Sequence, residues 1–369
     1  MVGTNDDTLL VSTRKGLFTV TGRGAAARVT AASFVGDNVT LARADARDGA
    51  WYAALDHGHF GVKLHRSEDR GASWTEIATP AYPPRPEGLD EKDMWGKQIP
   101  WSTKLIWALE PALDADGALW CGTLPGGLFR SDDRGASWQI VEGLWQHPLR
   151  PKWNGGGADL PGIHSVCVDP RDPKTIVVGI STGGVMRSRD GGATWSAHCA
   201  GMVNNYSPPE QASDPEGQDV HRIVQAPSRP DVFWVQHHCG AYRSGDDLAS
   251  WQPLTIEPSS FGFVVAVHPA DADRAWFVPA NSDQKRTAHG RVVVTRTRDG
   301  GKTFEQLEAG LPQAHAYDLV YRHALAIAPD GDQLAFGSTT GNLWVTDDQG
   351  DHWHTVSQTL PPIYATRYA

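Results

Sequence analysis

Short apolar runs rich in β-branched and aromatic residues recur along the chain, in pairs set around glycine-containing turns. "ALWCGTLPGGLFRSDD" (118–133), "TIVVGISTGGVMRSRD" (175–190) and "QLAFGSTTGNLWVTDD" (333–348) each hold two such runs, the pattern of a β-hairpin. "TLLVSTRKGLFTV" (8–20) gives the same hairpin near the start, bringing the number to seven. A further apolar run ending in a polar turn precedes the hairpins, as in "GIHSVCVDPRDP" (162–173), "DVHRIVQAPSRPD" (219–231), "FVVAVHPADAD" (263–273) and "HALAIAPDGD" (323–332). "KLIWALEPALDADG" (104–117) and "VTLARADARDG" (39–49) are looser versions, and a fourth run such as "WQIVEG" (138–143) follows the hairpins. The unit is four antiparallel strands, A to D.

One phrase punctuates these units. "RSEDRGASW" (66–74) returns as "RSDDRGASW" (130–138), "RSRDGGATW" (187–195), "SGDDLASW" (244–251), "TRDGGKTF" (297–304) and "TDDQGDHW" (346–353), always in the C–D turn. Its central acids Asp69, Asp133, Asp190, Asp246, Asp299 and Asp348 are spaced 64, 57, 56, 53 and 49 residues apart. The fourth copy has Leu248 in place of glycine, and the sixth has His352 in place of Ser or Thr. Four-stranded units repeated at this spacing predict an all-β chain folded as a seven-bladed β-propeller, with six blades as the alternative if the first hairpin is only an extension. The chain begins on strand B of the first unit, so "PPIYATRYA" (361–369) is expected to supply its missing strand A and close the ring. The whole of 1–369 is read as one such domain.

The six phrases resemble the Asp-box, or bacterial neuraminidase repeat. That resemblance implies a sialidase-like, glycosyl hydrolase type of propeller in which the box lies on the face opposite the catalytic one. The acid accepts backbone N–H groups within a tight turn, glycine supplies a positive φ, and the aromatic packs between blades. Asp69 and its equivalents therefore read as scaffold. The likeness does not extend to the chemistry of sialidases, which use three arginines, a Tyr–Glu nucleophile and an acid/base Asp. Their early Arg-Ile-Pro motif has no match here, so sialidase activity is not expected. The resemblance also reaches non-catalytic assembly factors and receptor ectodomains.

Chemistry is expected on the face built from D–A connections and B–C turns. Three long insertions, 78–103, 143–162 and 199–219, are D–A connections, and loops of that length tend to carry function. The first two bring Trp95, Trp101, Trp145 and Trp153 as candidate stacking walls for a substrate, or as cover for hydrophobic surface or a homo-oligomer contact. His164, His221 and His323 each lie six residues before the proline that closes strand A, at Pro170, Pro227 and Pro329; Phe263 and Leu105 hold the same register before Pro269 and Pro111. Equivalent positions in a ring share a depth. The three imidazoles are therefore expected to converge on the axis and hold a divalent ion such as Zn, Mn or Fe, with room for water or substrate.

Asp219 and Asp318 precede strand A in two of these blades and are candidates to orient His221 and His323. His57, His59, His237 and His238 fall in B–C turns and are candidate acid/base or further ligand groups; His289 and the acids Asp56 and Asp283 lie in similar turns. Lys104, Arg286 and Arg322 are candidates to bind an anionic group, whereas Arg222, next to His221, should point the other way.

Net charge is -10, with no run of Lys or Arg, which argues against nucleic acid or an anionic membrane as a partner. Cys121, Cys167, Cys199 and Cys239 are scattered and read as reduced thiols. No secretory signal or membrane span is evident, and the expected location is cytoplasmic. Two functions fit. One is a metal-dependent hydrolase or lyase acting on a small or carbohydrate-like substrate at the axis. The other is a non-catalytic propeller that binds a protein or glycan through its Trp-rich loop face.

Overall fold

A computed structural model describes residues 7–93, 95–282 and 284–369. The chain forms seven antiparallel sheets, six of four strands and one of five, so the six-bladed alternative is excluded. The innermost strands are Ile363–Tyr368, Asn38–Ala44, Leu105–Pro111, Ile163–Val168, Val220–Gln225, Gly262–His268 and Leu325–Ile327 in blades one to seven. The ring closes as expected: Ile363–Tyr368 pairs antiparallel with Thr8–Thr13, so the two ends of the chain share the first blade. Among the described residues no helix is long and apolar enough to cross a membrane.

Blades are held together by apolar side chains that alternate along each strand and pack against the neighbouring sheet. Trp120, Trp234 and Trp276, on the second strands of blades three, five and six, are fully buried in clusters that span two blades or, for Trp276, three. A ring of that size removes about 150–250 Å² from water, which makes these tryptophans principal adhesives of the propeller.

The repeated C–D turn is built as its composition requires. Asp69 Oδ1 accepts from Ser67 Oγ (2.7 Å) and from the Ser73 amide (2.8 Å), and Oδ2 accepts from Ser73 Oγ (2.5 Å). The Gly71 amide donates to Ser67 Oγ at 2.7 Å. Arg70 and Gly71 both adopt positive φ, 57° and 85°. In the fourth copy Asp247 and Leu248 take the same conformation, φ 57° and 66°. Leu248 tolerates it because its side chain is buried against Trp251 and its neighbours. In the sixth copy the His352 amide keeps the bond to Asp348 (3.0 Å) that the missing hydroxyl would have doubled.

A register break near the start of the innermost strands positions the site. Pairing with the second strand skips one residue on the inner strand in six blades: Tyr364, Thr40, Trp107, His164, His221 and a place within Phe263–Val264. A β-bulge leaves its extra residue outside the ladder and redirects its side chain. The upper end of the axis, at the N-terminal ends of the inner strands, is thus lined largely by bulge residues. The lower end lies on the side of the Asp turns.

Candidate active site on the propeller axis

The upper end of the axis is a cavity of about 450 Å³. Four bulge residues, Tyr364, Thr40, Trp107 and His221, line it, together with Phe263, Phe261, Tyr321 and His323. The Leu105 register expected from the proline spacing is displaced: Leu105 also reaches the cavity, but the bulge makes Trp107 the counterpart of His164 and His221.

Of the three histidines in register, His221 and His323 line the cavity and His164 does not, and their nitrogens do not converge on one ion. His164 Nε2 lies 2.7 Å from the Val220 carbonyl, and Nδ1 lies 2.9 Å from Ser165 Oγ. His221 Nδ1 lies 2.6 Å from the Gly262 carbonyl. His323 Nε2 lies 2.7 Å from the His164 carbonyl. These ring N–H groups satisfy backbone oxygens near the bulges, a requirement of any buried carbonyl that has left its ladder. His164, with both nitrogens engaged, is a structural bridge. Burial first, then the charges of Arg322, His323 and Arg222, hold its pKa well below the ordinary histidine value. His323 is likewise kept neutral, by burial and then by Arg222 and Arg367.

A different trio meets in the cavity. Among the described residues, Asp219, His221 and His238 are the one group of three whose ligand atoms all lie within 4.8 Å of one another. His221 belongs to the bulged strand. Asp219 ends the 199–219 insertion and His238 sits in the B–C turn of the same blade. The His238 amide donates to the Asp219 carbonyl at 2.9 Å, which fixes the loop to the turn and sets the two side chains side by side. Asp219 Oδ2 is 3.7 Å from His221 Nε2 and 3.5 Å from His238 Nδ1. Its other oxygen, Oδ1, is buried with no hydrogen-bond partner. Gly156 of the 143–162 insertion closes over this carboxylate: a Cβ there would lie 2.7 Å from Asp219 Oδ2 and 2.8 Å from Thr182 Oγ1.

Charge and tautomer suit cation binding. Burial works against ionisation of Asp219, but a proton or cation shared with His221, together with the charge of Arg322 and a proton on His238, outweighs it and holds the carboxyl far below its ordinary range. Burial keeps His221 neutral in spite of Asp219. Because His221 Nδ1–H is committed to Gly262, its Nε2 lone pair faces the carboxylate at a separation too long for a hydrogen bond. Two electron-rich atoms so opposed call for a cation or proton between them. The His221 ring is stacked on Phe263 (centroids 4.5 Å apart), and Phe261 packs edge-on to both His221 and His238 (5.6 and 5.4 Å). Arg322 adds positive charge, its guanidinium 4.8 Å from the Trp107 ring and 5.6 Å from Phe263, with Nε unpartnered. Lys285 stands at the rim.

Other expected site residues lie elsewhere. His237 is buried, accepts from the Cys239 amide at 3.0 Å, and is pushed by burial to a pKa of about 3, so it shapes the turn that presents His238. His57 and His59 do not line the cavity, although Asp56 beside them does. Asp318 does not orient His323; it accepts from Ser338 Oγ (2.6 Å), Asn342 Nδ2 (2.8 Å) and Thr340 Oγ1 within the hairpin turn of the last blade. Trp153 is only 3% exposed and packs in the core between blades three and four. Trp101 donates to Glu91 (2.8 Å) and meets Trp145 edge-on. Arg150 in turn covers Trp145 and pairs with Glu91 at 2.6 Å, so two insertions are clamped to each other rather than to a ligand. Lys104 is exposed and outside the cavity, and Arg286 lies over Tyr317. Asp283 falls outside the described residues. Trp107, Tyr321 and Tyr364 were missed because only a proline register marked the axis, and a bulge changes which residue faces it.

No protein-family model matches the chain. In sequence it is similar to the oligoxyloglucan-reducing end-specific xyloglucanase of Emericella nidulans, 38% identical over 277 residues, which is 68% of this chain and 32% of that protein. The chain thus spans about a third of the length of this relative. Among solved structures, an ancestral GH74 enzyme superposes with a TM-score of 0.58 at 16% identity, over 87% of this chain and 38% of that one. YCF48 from Cyanidioschyzon merolae gives 0.53 at 12% (86% and 84%), and a functionally unknown protein from Desulfotomaculum acetoxidans gives 0.56 at 10% (97% and 98%). At these identities the structural likenesses establish the fold alone.

Proposed function

We propose that this propeller is a hydrolase acting on a carbohydrate-like substrate in the upper axial cavity, with Asp219, His221 and His238 as the ligands of a divalent ion. The observation that carries the reading is the meeting of one ionised carboxylate oxygen and two imidazole nitrogens within 4.8 Å in a cavity with aromatic walls. The similarity to a xyloglucanase supports the substrate class. The cavity volume falls within the ~300–1,000 Å³ typical of small-molecule sites.

Each side chain then has a task. The Gly262 carbonyl fixes the ring of His221 and its tautomer, the usual second partner of a ligating histidine. Asp219 supplies negative charge without a competing hydrogen bond. Trp107 and Phe263 flank Arg322 and give the cavity its apolar wall, and Arg322 between them receives a hydroxyl or carboxylate. A divalent ion bound there would supply Lewis acidity and lower the pKa of a coordinated water. Three protein ligands leave positions open for both water and substrate.

The test has two independent arms. Metal content is measured on untagged protein and on Asp219→Asn and His238→Ala; near-stoichiometric metal in the parent, lost in both variants, is expected. Negligible metal in all three would overturn the ion. Release of reducing ends from xyloglucan oligosaccharides and hydrolysis of aryl glycosides are then assayed. Activity absent from every glycan and glycoside, with the metal present, would overturn the substrate class.

A further inference from the structure

The lower end of the same axis is a second cavity, of about 380 Å³, at the C-terminal ends of the inner strands. Its lining is mostly apolar, from Val166, Val168, Ile223 and Val224 with the prolines of two strand ends, and into this wall are set Arg222, Arg367, Glu110 and Cys167. The charges do not balance. Glu110 Oε1 is taken by Arg367 at 2.7 Å, and Oε2 by Arg43 at 2.9 Å. Arg222 makes no ion pair with this carboxylate, and its own hydrogen bonds are long, to the His164 carbonyl and Ser165 Oγ, both at 3.4 Å. That carbonyl also takes the shorter bond from His323 at 2.7 Å. Three guanidinium groups thus share one carboxylate around a cavity with apolar walls.

We propose that this cavity is a binding site for a small oxyanion, a phosphate or carboxylate group, gripped by Arg222 with Arg367 beside it. The planar fork of an arginine matches two oxygens of such a group at once. A cation removed from bulk water without a counter-charge is costly, and an anion in the cavity relieves that cost. The surroundings agree. Burial pushes the Cys167 thiol up to about 11. The thiol therefore gives no negative charge near neutrality. The site is separate from the upper cavity, with His164 and the His164–His323 bond between them.

Inorganic phosphate and malonate are titrated into the 369-residue chain by calorimetry, and thermal unfolding is followed with each anion and with sodium chloride at matched ionic strength. Saturable binding of phosphate or malonate, with a rise in Tm that chloride does not give, is expected; the tighter of the two names the source of the oxyanion. Arg222→Gln should lower the affinity at least tenfold and, by removing an unpaired charge, should melt no lower than the parent in anion-free buffer. Arg222→Lys, which keeps the charge without the fork, should bind with intermediate affinity. Equal Tm shifts with chloride and phosphate, or unchanged binding by Arg222→Gln, would overturn the proposal.

Discussion

The two ends of the axis are built from the same inner strands, yet their chemistry is opposite. At the upper end the ladder is broken by bulges, and aromatic and imidazole side chains surround one ionised carboxylate that lacks ordinary hydrogen bonds. At the lower end Glu110 pairs with two arginines and the surplus is cationic. One end has an acceptor looking for a cation, the other a donor looking for an anion. The bulges make this division possible. They free one residue per strand from strict alternation, so His221 and Arg222, adjacent in sequence, reach the upper and lower cavities respectively.

The largest effect should separate the ends by function. His221→Ala, which removes a ligand and its stacking on Phe263, is expected to lower turnover by about 100-fold or more and to abolish stoichiometric metal. Arg222→Gln should leave turnover within about twofold of the parent, since a side chain outside the chemistry rarely moves its rate. Steady-state kinetics on the substrate found in the glycan assays check both. Equal losses in the two variants would show that the axis works as one site.

Next in size is Trp153→Ala. With its ring buried between blades three and four, truncation should cost about 3–5 kcal/mol, seen as a shift in urea midpoint. Trp101, half-buried in the loop clamp, should cost about 1 kcal/mol. Neither is expected to change kcat/KM for the folded protein beyond about twofold. A selective loss of kcat/KM in Trp101→Ala would return the loop face to the site.

His164→Ala sharpens the contrast among the histidines. The substitution strands the Val220 carbonyl and opens a buried gap, at a cost of about 2–4 kcal/mol. Metal per folded molecule should stay at the parent level, the reverse of His221→Ala. Loss of metal from folded His164→Ala would mean that the histidines act as a set after all.

How much of this was legible depends on whether a signal was local. The propeller was, because six of the seven blades repeat an eight-residue phrase whose Asp and Gly are dictated by its turn. His221 was legible through its distance from Pro227, since strand length fixes depth. Its partner His238 was singled out, but its meeting with Asp219 depends on a backbone bond between a turn and a loop that composition does not reveal. Arg222 was expected to point away from its neighbour's site, which it does. That it still faces the axis follows from the bulge, a one-residue break in register with no signature in these strands. Arg43, Glu110 and Arg367 come from three different blades, and no local pattern marks residues that meet only when the ring closes.

The smallest effect concerns the face carrying the repeated turns, on the lower side. Asp69, Asp190 and Asp299 are held down to about 2, each chiefly by the hydroxyl of the following Ser or Thr and its amide. An unfolded carboxylate titrates near 3.9, so between about pH 4 and 2 the unfolded chain binds more protons than the folded one. Stability from these turns is therefore complete above about pH 4 and lost as the pH falls through 2. The triple variant Asp69→Asn, Asp190→Asn, Asp299→Asn keeps an acceptor oxygen in each turn but cannot titrate. It should melt somewhat below the parent at pH 7 and show a shallower fall in Tm from pH 4 to 2.5. Asp219 and Glu110, whose pKa values are also lowered, remain in both proteins, so the difference in slope belongs to the turns. An identical slope would mean that acid attacks the axis before the blades.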